Sequence, residues 1–337
     1  MKAYRQGDAE VKPGERQREH DSRGVAAGWI YSPRTEHRRR LPMSAPPLPS
    51  TAGRASALLP ALNEAQRRAA GFGVDAAPCA AIGPLLIVAG AGSGKTLTLA
   101  ARVARMVLAG ADPSRLLLLT FSRRAALEME RRVGGVLHDA LGLGVLQPAP
   151  RLPWCGTFHS VGARVLRSVA AQVGLDAAFT VDDRADSEDL MHLLRQRLGL
   201  AGGARRFPQK ATCLAIYSRA VNARKSVAAA VAETFPWCRG HEDALRGLFA
   251  SYAAEKQSQR VLDFDDLLVW WAEAMADPGV GAAIRARFDH VLVDEYQDTN
   301  RLQAEIVFGL KPDGRGLTVV GDDAQSIYSF RAATVRN

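Results

Sequence analysis

The chain has 337 residues, 47% of them apolar, and a formal net charge of +9. That length accommodates two domains with a sizeable core, and no stretch of about 18 residues is free of charges or breaks, which argues against a membrane span. Cysteines stand at Cys79, Cys155, Cys213 and Cys238 without a Cys-x-x-Cys pair, and no apolar leader with a cleavage site is present, so reduced thiols in a cytoplasmic protein are expected.

Residues 1–55 differ from the rest. They are rich in Arg, Glu, Gln, Pro and Ser, with the run Arg38-Arg39-Arg40 and the cluster Pro46-Pro47-Leu48-Pro49, and they sustain no hydrophobic period. The composition predicts a disordered basic tail. Met43 offers a second translation start, which would make residues 1–42 an upstream extension. Residues 1–54 carry 11 Lys and Arg against 6 Asp and Glu, whereas the remainder carries 33 against 29. The body is therefore only mildly basic, and its charge alone does not call for nucleic acid.

From about Ser56 the pattern becomes globular. Leu85–Val88 is a short apolar run that predicts a buried strand, followed by a glycine-rich turn and a helical period from about Leu97 to Leu108. Leu116–Leu119, Val291–Val293 and Leu317–Val320 predict further strands with helical patterns between them. This alternation predicts an α/β fold with a parallel sheet covered on both faces. Between 162 and 262 strand-like runs vanish and helical periods dominate, as in Leu190/Leu193/Leu194/Leu198 and Ala244/Leu245/Leu248/Phe249/Tyr252. The expected organisation is a nucleotide-binding domain in two parts, 56–161 and 263–337, interrupted by an all-helical insertion over 162–262.

Three segments carry chemistry. Ala89-Gly90-Ala91-Gly92-Ser93-Gly94-Lys95-Thr96 lies between strand and helix, the setting of a phosphate-binding loop, with Ala89 where the strict pattern has Gly. Its glycines let the backbone N–H groups of Ala91, Gly92, Ser93 and Gly94 curl around a polyphosphate, and the helix N-terminus adds partial positive charge. Lys95 would reach the β- and γ-phosphates, and the Thr96 hydroxyl would ligate Mg²⁺. Val291–Val293 ends in Asp294 and Glu295, which a parallel sheet places at its carboxyl edge beside that loop. Asp294 would hold Mg²⁺ through its water shell, and Glu295 would deprotonate the attacking water, which favours nucleoside triphosphate hydrolysis. Leu317–Val320 leads into Gly321-Asp322-Asp323-Ala324-Gln325, where Gln325 can hydrogen-bond both a γ-phosphate and a water. Tyr328, Phe330 and Arg331 follow, a grouping suited to stacking on bases.

Taken in order, these segments resemble the motor core of UvrD/Rep/PcrA-type superfamily 1 DNA helicases. Leu62-Asn63-Glu64-Ala65-Gln66-Arg67 resembles the family's Q motif, which implies adenine recognition by Gln66. Thr120-Phe121-Ser122-Arg123-Arg124-Ala125-Ala126 resembles motif Ia, and Gly156-Thr157-Phe158-His159-Ser160 the next DNA-contacting motif. The resemblance thus implies single-stranded DNA contacts at Phe121, Arg123, Thr157 and His159, and at Tyr328, Phe330 and Arg331 of motif III. Asp263-Phe264-Asp265-Asp266-Leu267-Leu268 matches a family segment at the return from the insertion. Taken singly, Gln66 would be a surface helix residue, Phe121 a core aromatic and His159 a buried hydrogen-bonded histidine; the joint order carries the resemblance. Leu97 stands where the family often has Arg, Ala324 where it has a third acid, Phe330 where Trp is commonest, and Arg123-Arg124 where Asn and Lys are usual.

The resemblance implies a RecA-like P-loop NTPase fold and ATP-driven 3′→5′ movement on single-stranded DNA with ATP and Mg²⁺. Repair or replication proteins would be possible partners. Motifs IV to VI, which supply arginines to the γ-phosphate, do not appear by Asn337, so slow hydrolysis is expected from these residues alone. The motor part of a helicase–nuclease complex and a non-catalytic single-strand-binding fragment remain open alternatives.

Overall fold

The computed structural model describes residues 62–74, 83–144, 146–202 and 206–322. The tail over 1–55, Met43, Cys79 and the predicted site residues Gln325, Tyr328, Phe330 and Arg331 lie outside the described residues. Five parallel strands form the main sheet: β1 (Leu85–Val88), β2 (Leu116–Thr120), β3 (Trp154–Thr157), β6 (His290–Val293) and β7 (Leu317–Gly321), in the order β1-β7-β6-β2-β3. β4 (Thr180–Val181) and β5 (Val261–Leu262) form a separate two-stranded parallel pair. The helices are α1 (Glu64–Gly71), α2 (Lys95–Leu108), α3 (Arg123–Leu141), α4 (Phe158–Val173), α5 (Arg184–Arg197), α6 (Lys210–Asn222), α7 (Val227–Thr234), α8 (Glu242–Gln259), α9 (Phe264–Ala276), α10 (Pro278–Arg285) and α11 (Arg301–Leu310).

The all-leucine run of β2 is buried throughout, and its side chains alternate between two cores. Leu117 and Leu119 enter one with Val291 and Val293, covered by Phe158, Val161 and Val165 of α4, Trp271 of α9 and Leu302 and Ile306 of α11. Leu116 and Leu118 enter the other with Leu292 and Val320, covered by Leu99 and Val103 of α2 and Met129 and Val133 of α3. A strand period of two with apolar residues in both phases requires helices on both faces. At the edge, β1 departs from the expected buried strand: Leu85 and Ile87 are half-buried and Leu86 and Val88 are exposed, because an edge strand has a neighbour on one side only.

Arg102 of α2 ties α1 to this sheet. It is fully buried and donates to Thr318 Oγ1 (3.0 Å) and to the carbonyls of Ala69 (3.0 Å) and Phe72 (2.9 Å) at the end of α1. Leu97, in the position where the resemblance leads one to expect Arg, packs with Leu62, Ala70 and Ala101 between α1 and α2.

Residues between β3 and β6 are mainly helical. Met191, Leu194, Cys213, Ile216, Leu245, Leu248 and Phe249 form a core of their own, in which Tyr217 meets Phe249 and Tyr252 edge-on. Of the leucines at helical spacing along α5 and its C-cap, Leu194 is buried, but Leu193 and the C-cap Leu198 are exposed. The expectation that strands vanish here fails at β4 and β5. These two-residue strands pair where the chain leaves and rejoins the helices, with Asp182 N donating to Leu262 O (2.9 Å). β3 was also unforeseen, because Trp-Cys-Gly-Thr lacks an aliphatic run; pairing with β2 makes it a strand.

A buried charge cluster holds the end of α8 against the start of α9. Lys256 Nζ, with its residue 2% exposed, donates to Asp263 Oδ2 (2.5 Å) and Asp266 Oδ2 (2.5 Å), and Tyr252 OH donates to Asp263 Oδ2 (2.9 Å). Asp263 also caps α9, in a capping box with Asp266. Removing one member of such a cluster strands the other charges. Lys256→Met is expected to destabilise the chain by about 3–5 kcal/mol, read as a lower urea midpoint, because two acids are then buried without their cation.

Candidate nucleotide site at the carboxyl edge of the sheet

Parallel pairing brings every strand's carboxyl end to one edge. Val88 is opposite Gly321, Val293 is opposite Leu119, and Thr120 is opposite Thr157. Along this edge the glycine-rich turn follows β1, Asp322 follows β7, Asp294 and Glu295 follow β6, Phe121 follows β2, and Thr157 closes β3. β7 therefore separates the glycine-rich turn from the paired acids.

The turn is braced from both sides. Ala89 N donates to Gly321 O (3.1 Å) and Ser93 N to Gly90 O (3.3 Å). Gly92 (φ 72°) and Gly94 (φ 82°) take left-handed backbone. Gly94 is also the N-cap of α2, and it has no side chain to occupy the helix's open N–H groups. A Cβ on Gly94 would fall 2.7 Å from Gln66 Nε2. Gln66 sits against the turn: its Nε2 donates to Ser93 O (2.7 Å), and its Oε1 accepts from Asn63 N (2.8 Å). The residue expected to meet adenine is thus also a brace between α1 and the turn.

Lys95 opens α2 and is 8% exposed. Its Nζ lies 3.5 Å from Asp322 Oδ2 and 3.9 Å from Glu295 Oε2, and no hydrogen bond reaches it among the described residues. Thr96 follows at the second position of the helix. Asp294 is buried, and its N–H donates to Leu119 O (2.9 Å). Its Oδ1 accepts from Glu295 N (3.1 Å). Burial, and then the neighbouring Glu295 carboxylate, push its carboxyl up to about 6. Asp298 is also raised to about 6 by burial and then by Glu295. Glu295 itself takes left-handed backbone (φ 52°), uncommon for a residue with a Cβ and frequent at sites held in place by their surroundings.

The structure brings Gln66, Ala91, Gly92, Ser93, Gly94, Lys95, Thr96, Asp294 and Glu295 to one end of this edge. Of the expected DNA residues, Phe121 and Arg123 follow β2, next to β6, and Thr157 and His159 lie at the end of β3 on the far edge, with β2 three strand spacings, about 14 Å, from β1. Phe121 is half-buried and Arg123 is exposed at the first turn of α3. Thr157 is buried and caps α4 through Ser160 N (3.2 Å). His159 is half-buried, with its ring edge-on to Phe264 at 5.5 Å.

Two residues here were given no role from sequence. Asp322 stands after β7 as Asp294 stands after β6, and the carboxyl-edge rule alone would have found it. Gln297 lies in the single turn Tyr296–Asp298, and its Nε2 donates to Glu295 Oε2 (2.6 Å). Its spacing from the acids carries no signal by itself.

The arrangement suits a polyphosphate with a divalent cation. An ammonium without a hydrogen bond, open helix N–H groups and a carboxyl pushed up by burial are all groups that such a pair would satisfy. Over residues 73–337 the chain matches the family model of the UvrD/REP helicase N-terminal domain. The chain belongs to the UvrD/REP helicase family. It is 36% identical over 306 residues to the ATP-dependent DNA helicase UvrD1 of Mycobacterium tuberculosis, covering 87% of this chain and 36% of that protein. It is 34% identical over 260 residues to the ATP-dependent DNA helicase PcrA of Leuconostoc citreum (76% of this chain, 32% of that protein). PcrA of Staphylococcus aureus is 33% identical over 257 residues (76% and 33%). The chain spans about a third of the length of these curated relatives.

The buried Asp294 has a stability consequence. Its folded-state value lies above the ordinary 3.8, so the folded chain binds the proton more tightly and loses stability as pH rises from about 4 to about 6. Asp294→Asn is therefore expected to raise the thermal midpoint at pH 8, with a smaller gain at pH 5, measured by scanning calorimetry.

Proposed function

We infer that this chain is the ATP-binding part of an ATP-dependent DNA helicase that moves 3′→5′ on single-stranded DNA. Residues 56–161 and 263–337 serve as the RecA-like ATPase domain, with 162–262 as its helical insertion. The observation that carries the reading is the meeting of Lys95, Glu295 and Asp322 within 4 Å at the edge that also holds Asp294. The names of the relatives, ATP-dependent DNA helicases, support it.

In this reading Gln66 selects adenine, and the N–H groups of Ala91 to Thr96 hold the phosphates. Lys95 offsets the charge that develops on the terminal phosphoryl group. Mg²⁺ held by Thr96 and, through water, by Asp294 would neutralise the phosphate oxygens. Glu295 orients the attacking water and takes its proton, and Gln325 senses the terminal phosphate. Phe121, Arg123, Thr157, His159, Tyr328, Phe330 and Arg331 contact the DNA strand. Stacking makes that contact largely sequence-neutral, and phosphate contacts make it salt-dependent. Work on DNA repair or replication in the cytoplasm fits this chemistry. Among the described residues no helix is long and apolar enough to cross a membrane.

ATP hydrolysis by the 337-residue polypeptide is expected to be slow, because arginines supplied from outside a P-loop domain are worth about 10³–10⁵ in rate. Three proteins test the reading: the native chain, Lys95→Ala and Glu295→Gln. Lys95→Ala should lose binding of a fluorescent ATP analogue. Glu295→Gln should keep that binding and lose at least about 100-fold in hydrolysis. Equal hydrolysis by all three would end the enzymatic reading and leave a DNA-binding fragment.

A further inference from the structure

Gln297 carries chemistry that the proposed ATPase reading leaves unassigned. The residue is 7% exposed, and its amide is engaged at both ends. Nε2 donates to Glu295 Oε2 (2.6 Å), while Oε1 accepts from the backbone N–H of Asp322 (2.9 Å). These partners fix the direction of the amide. A backbone N–H can only donate and an ionised carboxylate can only accept, so the oxygen must face β7 and the nitrogen must face Glu295. Glutamate in this place would oppose carboxylate to carboxylate, and an apolar residue would serve neither partner. The strand opposite leaves room only for this contact: a Cβ on Gly321 would fall 2.9 Å from Gln297 Oε1.

We propose that Gln297 is a positioning residue that aims the Glu295 carboxylate and ties it to the backbone leaving β7. The inference rests on Glu295 being the water-activating acid. Glu295 stands on left-handed backbone, so its side chain leaves the chain in a direction that the strand does not set. A charge-assisted hydrogen bond from a buried amide supplies that missing direction. The same amide links the acid to the first residue beyond β7, where the segment leading to Gln325 begins. A displacement of Asp322 N therefore pulls on the group that orients Glu295. Two neighbouring strand ends, β6 and β7, are thereby joined through a side chain as well as through the sheet.

The test uses the full 337-residue chain in excess over ATP and Mg²⁺, with phosphate release followed in a single turnover. Gln297→Glu keeps the shape and the acceptor for Asp322 N but loses the donor to Glu295. It is expected to slow the turnover about 10- to 100-fold while affinity for a fluorescent ATP analogue stays within about threefold. Gln297→Met, of similar length and without either hydrogen bond, should slow it to a similar degree. In a Glu295→Gln background, Gln297→Glu should change the residual rate by less than about twofold, because a residue acting through Glu295 has nothing left to aim. Native turnover by both single variants overturns the proposal. So does an equal fold-loss in the two backgrounds, or loss of the folded state in both variants, either of which makes Gln297 a brace of the fold. If Glu295→Gln itself hydrolyses at the native rate, or the native chain shows no rate above solvent, the reading of Glu295 fails and this inference fails with it.

Discussion

One ammonium group organises the carboxyl edge of this sheet. Lys95 is nearly buried, yet the carboxylates of Asp322 and Glu295 stand 3.5 and 3.9 Å from it, outside hydrogen-bonding geometry. Removing a charge from water costs several kcal/mol unless partners compensate. Here compensation is Coulombic and incomplete, and it runs in both directions. Without the ammonium, Asp294, Glu295, Asp298 and Asp322 would crowd negative charge into one place. Even with it, Asp294 and Asp298 are pushed up to about 6. The site is therefore held in electrostatic tension by the fold, a state typical of surfaces shaped for a ligand more than for stability.

The surrounding structure maintains that tension. Arg102 pins α1 to β7, which holds Gln66 against the glycine-rich turn. From the other direction, Asn300 caps α11 and donates to Asn222 Oδ1 (2.8 Å), and Asn222 Nδ2 donates to Asp265 Oδ1 (2.6 Å). Arg224 adds ion pairs to Glu305 of α11 (2.9 Å) and Glu273 of α9 (3.3 Å). The end of α6 thus meets the segment that begins at Glu295. Satisfied buried amides such as Asn222 and Asn300 specify one arrangement, because any slip leaves several polar groups unpaired at once.

Much of this was legible in the sequence where a periodic or local signal exists. Leu85–Val88 and the Gly-Lys-Thr turn announce strand, loop and helix without reference to anything distant. Val291–Val293 with its two acids does the same, and the carboxyl-edge rule brings the two together. What the sequence concealed depends on distant partners. Trp154–Thr157 becomes a strand only beside β2, and β4 exists only because β5 returns to it from 81 residues further along the chain. Leu193 and Leu198 share a helical spacing with Leu194, but the neighbouring helices cover one face of α5. Gln297 is the plainest case: a glutamine beside two acids resembles any polar turn residue until a backbone N–H from another strand arrives to fix its amide.

The strand order also bears on how the chain reaches this state during synthesis. Among the described residues β1 pairs only with β7, although more than 220 residues separate them, and β6 must enter between β7 and β2. Until residue 321 has left the ribosome, β1 lacks its partner β7, and the apolar face shared by α2 and α3 lacks Leu292 and Val320. Contacts so distant in sequence form slowly. The glycine-rich turn, whose first N–H bonds to Gly321 O, is therefore among the last features to take shape although it is among the first to be made. Nascent chains of this design expose a half-covered sheet until β7 has been made, the interval in which chaperones find their substrates.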